Sequence, residues 1–283
     1  MATALEKLLA TPLPDELFHY SSQDGLRGIV ESGELWASKI TYLNDSSELA
    51  LTLDTAKSHV NARSLPSRIR AGIVRDLELL EVSANNVFVF SLTRNGDQLS
   101  QWRGYTRSGS GYSIGFAASE LKHVAEQTGE FFLGPCSYSS DVRQEVVAGL
   151  ITQILDKKLH LCTKRRVYTP STRWRSPQFK DELLFAASFF KHDAFAEEEE
   201  WRLVSRPIAF KHPNVNYRSG RSHLVPYFKL PIRDSGGRIP LRSVTVGPTP
   251  HPGLASSAVE SLLLSAGMEA FSIQDSRIPF RQW

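Results

Sequence analysis

Residues 87–92, with the sequence Val-Phe-Val-Phe-Ser-Leu, mark the point at which the pattern of the chain changes from helical to extended. These residues are apolar and either β-branched or aromatic, which is typical of a buried strand. Upstream, Leu49 and Leu53 share one face of a predicted helix, and a second helix is expected from about Pro66 to before Asn85. The chain therefore combines strands and helices.

The same mixture continues on both sides of this run. Strands are also predicted for residues 17–20, 35–40, 111–116, 130–138, 198–204, 224–232, 243–246 and 269–273. Helices are predicted for residues 22–31, 141–162, 179–191 and 254–266, and a helical turn is predicted for residues 98–105. Strand and helix do not alternate regularly, and no Gly-rich strand-to-helix fingerprint is present. The sequence therefore predicts an α+β fold.

Length and composition limit the class of protein. The chain has 283 residues, of which 41% are apolar, and 33 basic side chains oppose 30 acidic ones for a formal net charge of +3. That content is enough for a core in one interwoven domain over residues 1–283, and the charge argues against broad phosphate neutralisation. No apolar run reaches membrane-spanning length, so we expect a cytoplasmic protein. The two cysteines are too few for a disulfide framework.

The first group of candidate functional residues lies where an early strand meets a helix. It runs through His19, Tyr20, Ser21 and Ser22. A neutral imidazole donates one hydrogen bond and accepts another, and hydroxyls beside a helix N-terminus suit a ribose and a phosphate. The alternative is that His19 packs at the strand end and the serine only caps the helix.

Two further groups combine polar and aromatic residues. Tyr42 and Asn44 precede Asp45 and Glu48, a pattern that also predicts a turn and a capping box. Residues 101–105, with the sequence Gln-Trp-Arg-Gly-Tyr, place aromatic rings beside glycines, as a planar heterocycle requires for stacking. Here the alternative is that these aromatic residues belong to the core.

Residues 197–204, Glu-Glu-Glu-Glu-Trp-Arg-Leu-Val, form the most informative group. Four consecutive acids are usually a solvated face, but this run continues directly into a predicted strand. Alternation would put Glu198, Glu200 and Arg202 on one side of that strand. Two adjacent carboxylates can stabilise positive charge at an anomeric carbon, and their mutual repulsion would raise one pKa for general-base work.

Other kinds of site have less support. The eight histidines form no H-E-x-x-H or H-x-H motif, so no metal is expected. A basic cluster includes Lys157, Lys158, Lys164, Arg165, Arg166, Arg173 and Arg175. It could contact phosphates or could be a solvated loop.

Taken in order, these groups resemble a bacterial family known as domain of unknown function 2971. The resemblance spans roughly residues 15–281 and rests on several short motifs: His19 to Ser22, Asn44-Asp45 with Glu48, Trp102 with Tyr105, Gly111 to Phe116, Glu198 with Glu200 to Arg202, Val246-Gly247, and Pro279 to Arg281. Ser46 stands where the family usually has proline.

That family looks like a distant branch of the ADP-ribosyltransferase superfamily, whose members split NAD between ribose and nicotinamide. The resemblance implies two packed, bent β-sheets flanked by helices, with NAD in the cleft between them. It also implies that His19 and Ser21 form a first binding motif and that Glu198 and Glu200 form a catalytic E-x-E motif. Tyr42, Trp102 and Tyr105 are all candidates for stacking on nicotinamide.

The resulting hypothesis is an NAD-dependent ADP-ribosyltransferase that needs no metal. The catalytic residues would be Glu200, bonding the nicotinamide ribose 2′-hydroxyl, and Glu198, orienting or deprotonating the acceptor. The expected NAD-binding residues are His19, Tyr20, Ser21, Tyr42, Asn44, Trp102, Tyr105 and Arg202. The acceptor, a protein, a nucleic acid, a small molecule or water, stays open, as does a role in toxicity or phage defence.

Two alternatives remain. One is a non-catalytic module that senses a nucleotide or binds a partner on the same fold. The other is an ADP-ribosyltransferase that modifies nucleic acid, with the basic cluster guiding a strand to the cleft.

Overall fold

The computed structural model describes residues 2–43, 47–82, 86–106, 111–165, 177–220 and 222–279. Its helices are α1 Ala4–Leu9, α2 Gln23–Ser32, α3 Ser47–Ala62, α4 Ser67–Val82, α5 Leu99–Tyr105, α6 Ala118–Thr128, α7 Ser140–Arg165, α8 Pro177–Ala187 and α9 Pro252–Ser265. Its strands are β1 Glu16–Ser21, β2 Glu34–Lys39, β3 Phe88–Thr93, β4 Tyr112–Ala117, β5 Phe131–Pro135, β6 Glu200–Ser205, β7 Val215–Ser219, β8 Leu224–Pro231, β9 Leu241–Val246 and β10 Ser272–Asp275.

The strands form one hydrogen-bonded network. Its main path runs β10-β9-β4-β1-β3-β2-β8-β7, and β6 branches from β3 to carry β5. Only the β9–β10 pair is parallel among the described strands. The resemblance implies two packed sheets, whereas these strands are joined through a branch point at β3.

The branch at β3 splits the sheet. β6 pairs with β3 continuously from Val89 to Thr93. On the opposite edge, β2 pairs with β3 only as far as Val89, and β1 pairs with it only at Thr93. Among the described strands, residues 90–92 therefore have no partner on that edge, and β1 and β2 diverge from β3 around them. Helix α2, which connects β1 to β2, lies beside this opening.

Alternation along β3 and β6 separates apolar from polar side chains. One face of the two strands contributes to the largest hydrophobic core through Phe90, Leu92, Trp201 and Leu203. The other face carries Ser91 and Thr93 of β3, directly beside Arg202 and Glu200 of β6. Directly paired residues share a face of the sheet, so the register places polar groups in a cluster next to the split.

A second hydrophobic core lies among helices rather than strands. Helices α3, α4, α7 and α8 bury apolar side chains against one another, including Leu53, Leu77, Ile151 and Leu183. Most of these side chains follow the helical spacing expected from the sequence. Among the described helices, none is both long enough and apolar enough to cross a bilayer.

Most of the predicted elements are confirmed within a few residues, and the mixed α+β class is confirmed. Two boundaries are wrong: α8 ends at Ala187 rather than Lys191, and Glu198 belongs to a 3₁₀ helix, Asp193–Glu198, rather than to β6. Three elements were not predicted, namely α1, α6 and β7. The last is an exposed edge strand with no apolar alternation to reveal it.

Candidate active site

A cavity of about 300 Å³ lies at the split in the sheet. It is bounded by β1, α2, β2 and the free edge of β3, and it extends across β3 to α5 and to the start of β6. We call it the central cavity. Among the predicted site residues, it is lined by His19, Tyr20, Ser21, Tyr105, Glu198 and Glu200. The structure thus brings together residues that are about 180 positions apart in sequence.

His19 occupies the gap where β1 leaves β3. Its Nδ1 lies 2.9 Å from the carbonyl oxygen of Ser91, and its ring stacks on Phe90 with centroids 4.2 Å apart. A carbonyl only accepts, so Nδ1 carries the proton and Nε2 of the neutral ring is an acceptor. Burial lowers the pKa of His19 to about 4, and the charge of Arg218 adds to this effect. His19 is therefore neutral at physiological pH.

Tyr20 and Ser21 complete the β1 side of the cavity in different ways. The Tyr20 hydroxyl donates to the Asn95 carbonyl and accepts from the Gln98 N–H, both at 2.9 Å, so it holds the segment after β3. The Ser21 hydroxyl has no hydrogen-bond partner among the described residues. It can therefore bond to a molecule in the cavity.

Helix α2 presents glycines to the cavity. Its N-cap is Ser22, whose hydroxyl accepts from the Gly25 N–H at 3.2 Å, and Gly33 ends it in the left-handed conformation. A Cβ atom on Gly25 would collide with the Ser21 hydroxyl, whereas one on Gly28 would meet open space. The helix backbone is therefore close to the cavity at Gly25, and space remains beside Gly28.

Four charged side chains form a cluster at the β6 end of the cavity. Lys191 Nζ donates to Glu198 Oε2 at 2.6 Å and to Glu200 Oε2 at 2.7 Å. Arg202 donates to both oxygens of Glu200, from Nε to Oε1 at 2.8 Å and from Nη2 to Oε2 at 3.0 Å. These bonds place the two carboxylates side by side, which the sequence analysis had attributed to strand alternation.

The environment of Glu200 keeps it ionised. Burial by itself raises the pKa of this carboxyl, but Arg202 and Lys191 together outweigh burial and lower the pKa to about 2. Like-charge repulsion is expected from the sequence to raise one pKa of the pair, and for Glu200 that expectation is wrong because two cations contact it directly. Glu200 can stabilise positive charge or accept a hydrogen bond, but it cannot be a general base near neutral pH.

The backbone between the two carboxylates is unusual. Glu199 has φ of 40° and ψ of 46°, the left-handed region that non-glycine residues rarely adopt. Its strain is offset by neighbouring contacts: the Thr93 hydroxyl donates to the Glu198 carbonyl at 2.7 Å, and the Glu200 N–H donates to the Tyr138 hydroxyl at 2.9 Å. Strain of this kind is concentrated at functional sites.

Of the two predicted aromatic residues on helix α5, Tyr105 lines the cavity and Trp102 does not. Tyr105 lines the cavity and is 45% exposed. Trp102 is 1% exposed, packs edge-on against Tyr20 and donates its indole N–H to Asp97 at 2.8 Å. Trp102 is thus a core residue that supports the cavity wall from behind. Gln101, which the sequence analysis included in the group without assigning it a role, also lines the cavity.

The opposite wall was not predicted. Alternate residues of β2, Glu34, Trp36 and Ser38, line the cavity, and Arg218 of β7 donates to the Ser38 hydroxyl at 2.8 Å. Trp36 is 43% exposed and rests against Tyr227, with ring centroids 4.5 Å apart. The period of two in β2, with a large aromatic on the exposed side, was the signal available in the sequence.

The remaining predicted residues lie elsewhere or are not described. Tyr42 does not line the cavity; the residue is 39% exposed, and its ring centroid lies 5.4 Å from that of His223. Arg202 also stays behind the cavity surface, where it contacts Glu200. Asn44, with Asp45, lies outside the described residues.

The basic cluster and the C-terminal motif are described only in part. The backbone of α7 includes positions 157–165 of the basic cluster, but the side chains there and residues 166–176 lie outside the described part of the chain. The same holds for the last residues of the C-terminal motif, from position 280 onward.

Comparison with known proteins bears on part of this site. Residues 101–203 match the model of a family described as protein of unknown function (DUF2971). This match confirms the predicted resemblance to that family over these residues, which include Tyr105, Glu198 and Glu200. His19 and Ser21 lie outside the matched segment. No curated protein matches the chain. The family description names no activity, so the relationship to ADP-ribosyltransferases stays a prediction.

Proposed function

We propose that the protein is an ADP-ribosyltransferase-like enzyme that binds NAD in the central cavity and breaks the bond between nicotinamide and ribose. One observation carries the proposal: a neutral histidine, a serine hydroxyl without a partner in the described part of the chain and an ionised glutamate line the same cavity, although the glutamate follows the other two by about 180 residues. The α+β class agrees with the superfamily core that the resemblance implies, although the described strands form one branched network and not two separate sheets.

Glu200 would stabilise the transition state. When the bond between C1′ and the pyridinium nitrogen breaks, the electron pair leaves with neutral nicotinamide and positive charge develops on the ribose. An ionised, 95% buried carboxylate stabilises that charge more strongly than it would in water. Its bonds to Arg202 and Lys191 leave an acceptor position on Oε1 among the described residues, and this position suits the ribose 2′-hydroxyl.

Glu198 is better suited to the acceptor. Its side chain is 18% exposed against 6% for that of Glu200, so an incoming hydroxyl, amine or guanidinium group can reach it. In the proposed reaction the acceptor forms a bond to C1′ as nicotinamide leaves, and the proton that the acceptor loses passes to Glu198 or to water. Lys191 holds Glu198 at the cavity during this step.

The size of the cavity favours partial enclosure of NAD. A volume of about 300 Å³ lies at the lower end of the range for small-molecule sites. The ring beside Tyr105 and its ribose would be enclosed, and the rest of the dinucleotide would extend along β1 and β2. There the Nε2 of His19 can accept from a ribose hydroxyl, while Ser21 and Arg218 can contact phosphate.

A second candidate, a non-catalytic nucleotide-binding module, is favoured by a different observation. Two cations contact Glu200, so much of its charge is already compensated before any substrate binds. Such a site would bind NAD or a mononucleotide in the same cavity without turnover. Nicotinamide release separates the two candidates, because only the enzyme produces it.

The test uses purified protein, labelled NAD and a panel of acceptors that includes water. Wild-type protein should release nicotinamide, and Glu200→Gln should reduce the rate by roughly 10²–10³-fold while NAD binding, measured by calorimetry, is retained. Glu197→Gln is the matched control, because Glu197 belongs to the same acidic run but does not line the cavity. Binding without release would favour the non-catalytic module, and equal release by wild type and Glu200→Gln would overturn the assignment of Glu200.

A further inference from the structure

Gln101 is a buried polar residue that the proposed reaction does not use. It is 6% exposed and lines the central cavity from α5. Its side-chain amide has no hydrogen-bond partner among the described residues, and its nitrogen and oxygen are not fully enclosed by protein atoms. Polar groups in a largely buried residue are nearly always bonded, so an amide that no described residue pairs and that is accessible from a cavity is expected to bond to what the cavity holds.

The position of Gln101 on its helix defines what it can reach. Tyr105 follows it by four residues, one helical turn, so both side chains lie on the same face of α5. Helix α5 is also close to the acidic run: the Ser100 hydroxyl donates to Glu197 Oε1 at 3.2 Å. Partial burial, and next the charge of Glu198, raise the pKa of Tyr105 to about 12. Gln101 is therefore on the side of the cavity where the carboxylates lie.

The chemistry of the side chain restricts the ligand group further. An amide presents an N–H donor and a carbonyl acceptor side by side in one plane. Its complement is a planar group with the same two functions, such as a primary carboxamide on a ring that stacks against Tyr105. A carboxylate has no N–H donor and is charged. A methyl ketone also has no N–H donor, but it is neutral, so it tests the loss of the donor alone.

We propose that Gln101 is a specificity-determining residue that recognises the carboxamide of the nicotinamide ring. This inference rests on the proposed function, because it requires the ring that leaves C1′ to lie between Glu200 and α5. The Gln101 N–H donates to the carboxamide oxygen, and the Gln101 oxygen accepts from the carboxamide N–H. The adenine end of NAD then lies away from α5, toward β2.

The test compares NAD with two analogues. In 3-acetylpyridine adenine dinucleotide a methyl group replaces the carboxamide nitrogen, and in nicotinamide hypoxanthine dinucleotide only the purine is changed. Wild-type protein should bind NAD on the order of tenfold more tightly than the acetylpyridine analogue, because that analogue leaves the Gln101 oxygen unpaired. Gln101→Leu should reduce this ratio to about one and leave the NAD-to-hypoxanthine ratio unchanged.

The variant is expected to fold, because leucine has a similar size and removes a buried polar group, and thermal unfolding checks this. Gln127→Leu is the matched control, since Gln127 lies on α6 outside the cavity and bonds to His123. A merely structural role would change affinity for all three dinucleotides equally and would overturn the inference. A change confined to the hypoxanthine ratio would also overturn it. If wild-type protein binds none of the three, the proposed function itself fails.

Discussion

Lys191 Nζ lies 2.7 Å from Glu200 Oε2, and both side chains are almost completely buried. The same nitrogen also bonds to Glu198, so one cation joins two carboxylates that would otherwise repel each other. Burial lowers the pKa of Lys191, but the charges and hydrogen bonds of the two glutamates outweigh burial and raise the pKa above its ordinary value. Lys191 is thus a permanent cation and not a nucleophile.

Replacing this cation should destabilise the protein. Lys191→Met leaves Glu198 and Glu200 side by side without their shared partner, and breaking a buried pair typically costs about 3–5 kcal/mol of the free energy of unfolding. Urea unfolding near neutral pH measures this loss. The control is Lys122→Met, which removes an exposed ion pair to Glu126 and should cost less than about 1 kcal/mol.

Lys191→Met should also change how much stability the folded protein loses on acidification. The folded pKa of Glu200 is below its unfolded value, so its stabilising effect is present above about pH 4.5 and is lost as pH falls toward 2. Without Lys191 the folded pKa rises toward the unfolded value. The variant should therefore be less stable at neutral pH but lose less stability on acidification. A steeper acid loss in Lys191→Met than in wild type would contradict this account.

His19 should cause a second pH dependence of the free energy of unfolding, in a higher pH range than that of Glu200. Its folded pKa of about 4 lies below the ordinary value of 6.5, so the stabilisation is complete above about pH 6.5 and is lost as pH falls toward 4. His19→Asn retains a donor for the Ser91 carbonyl but cannot titrate. Between about pH 7.5 and pH 5, wild type should lose about 2 kcal/mol more than the variant in urea unfolding.

A matched histidine tests whether this effect is local. His251→Asn replaces an exposed histidine outside the cavity and should leave the wild-type pH dependence unchanged. If His19→Asn and wild type respond equally to acidification, then His19 is not held neutral in the folded protein.

Substitutions at Gly28 should allow stability and ligand binding to be changed independently of each other. It lies inside α2, and a Cβ atom there would contact nothing within 4 Å. Gly28→Ala should therefore stabilise the protein by about 1 kcal/mol through helix propensity, with little effect on NAD binding. Gly28→Phe should fill part of the cavity and weaken NAD binding at least tenfold in calorimetry. The control is Gly149→Phe, at a helical glycine outside the central cavity, which should leave NAD binding unchanged.

Tyr138 is predicted to hold the first residue of β6 in place. Its hydroxyl accepts the Glu200 N–H at 2.9 Å. Tyr138→Phe leaves this N–H without its partner and should reduce the free energy of unfolding by about 1–3 kcal/mol. Tyr217→Phe, at a tyrosine that is 59% exposed, should have no measurable effect. Equal stability of Tyr138→Phe and wild type would mean that the bond does not contribute.

Local sequence was sufficient for most helices and strands because their signals are contained in a few neighbouring residues. The apolar run at 87–92 corresponds to β3, and the Ser22 and Gly33 boundaries of α2 follow from capping chemistry. Edge strand β7 was missed because most of its side chains are exposed, which leaves no apolar period. The strand predicted from Glu198 began too early because a run of identical residues carries no boundary signal.

The site was predicted in part. His19, Ser21, Tyr105, Glu198 and Glu200 were identified by residue type, and all of them line the central cavity. Arg218 and Lys191 were missed because each belongs to a segment without a recognisable motif, and Trp36 was missed although the period of two in β2 was a signal for it. Trp102 shows the reverse case: its ring has the chemistry for stacking, but the position of α5 directs it into the core.

The amino-acid sequence by itself determined the α+β class, the order of most elements and the residue types available for chemistry, since propensity, periodicity and capping act over short distances. Only the tertiary structure decided which side chains share a cavity, because that depends on the split at β3 and on pairings between distant strands. The tertiary structure also decided the protonation states of the ionisable side chains at the site. The low pKa of Glu200 and the neutral ring of His19 arise from burial and from charges that other segments of the chain supply.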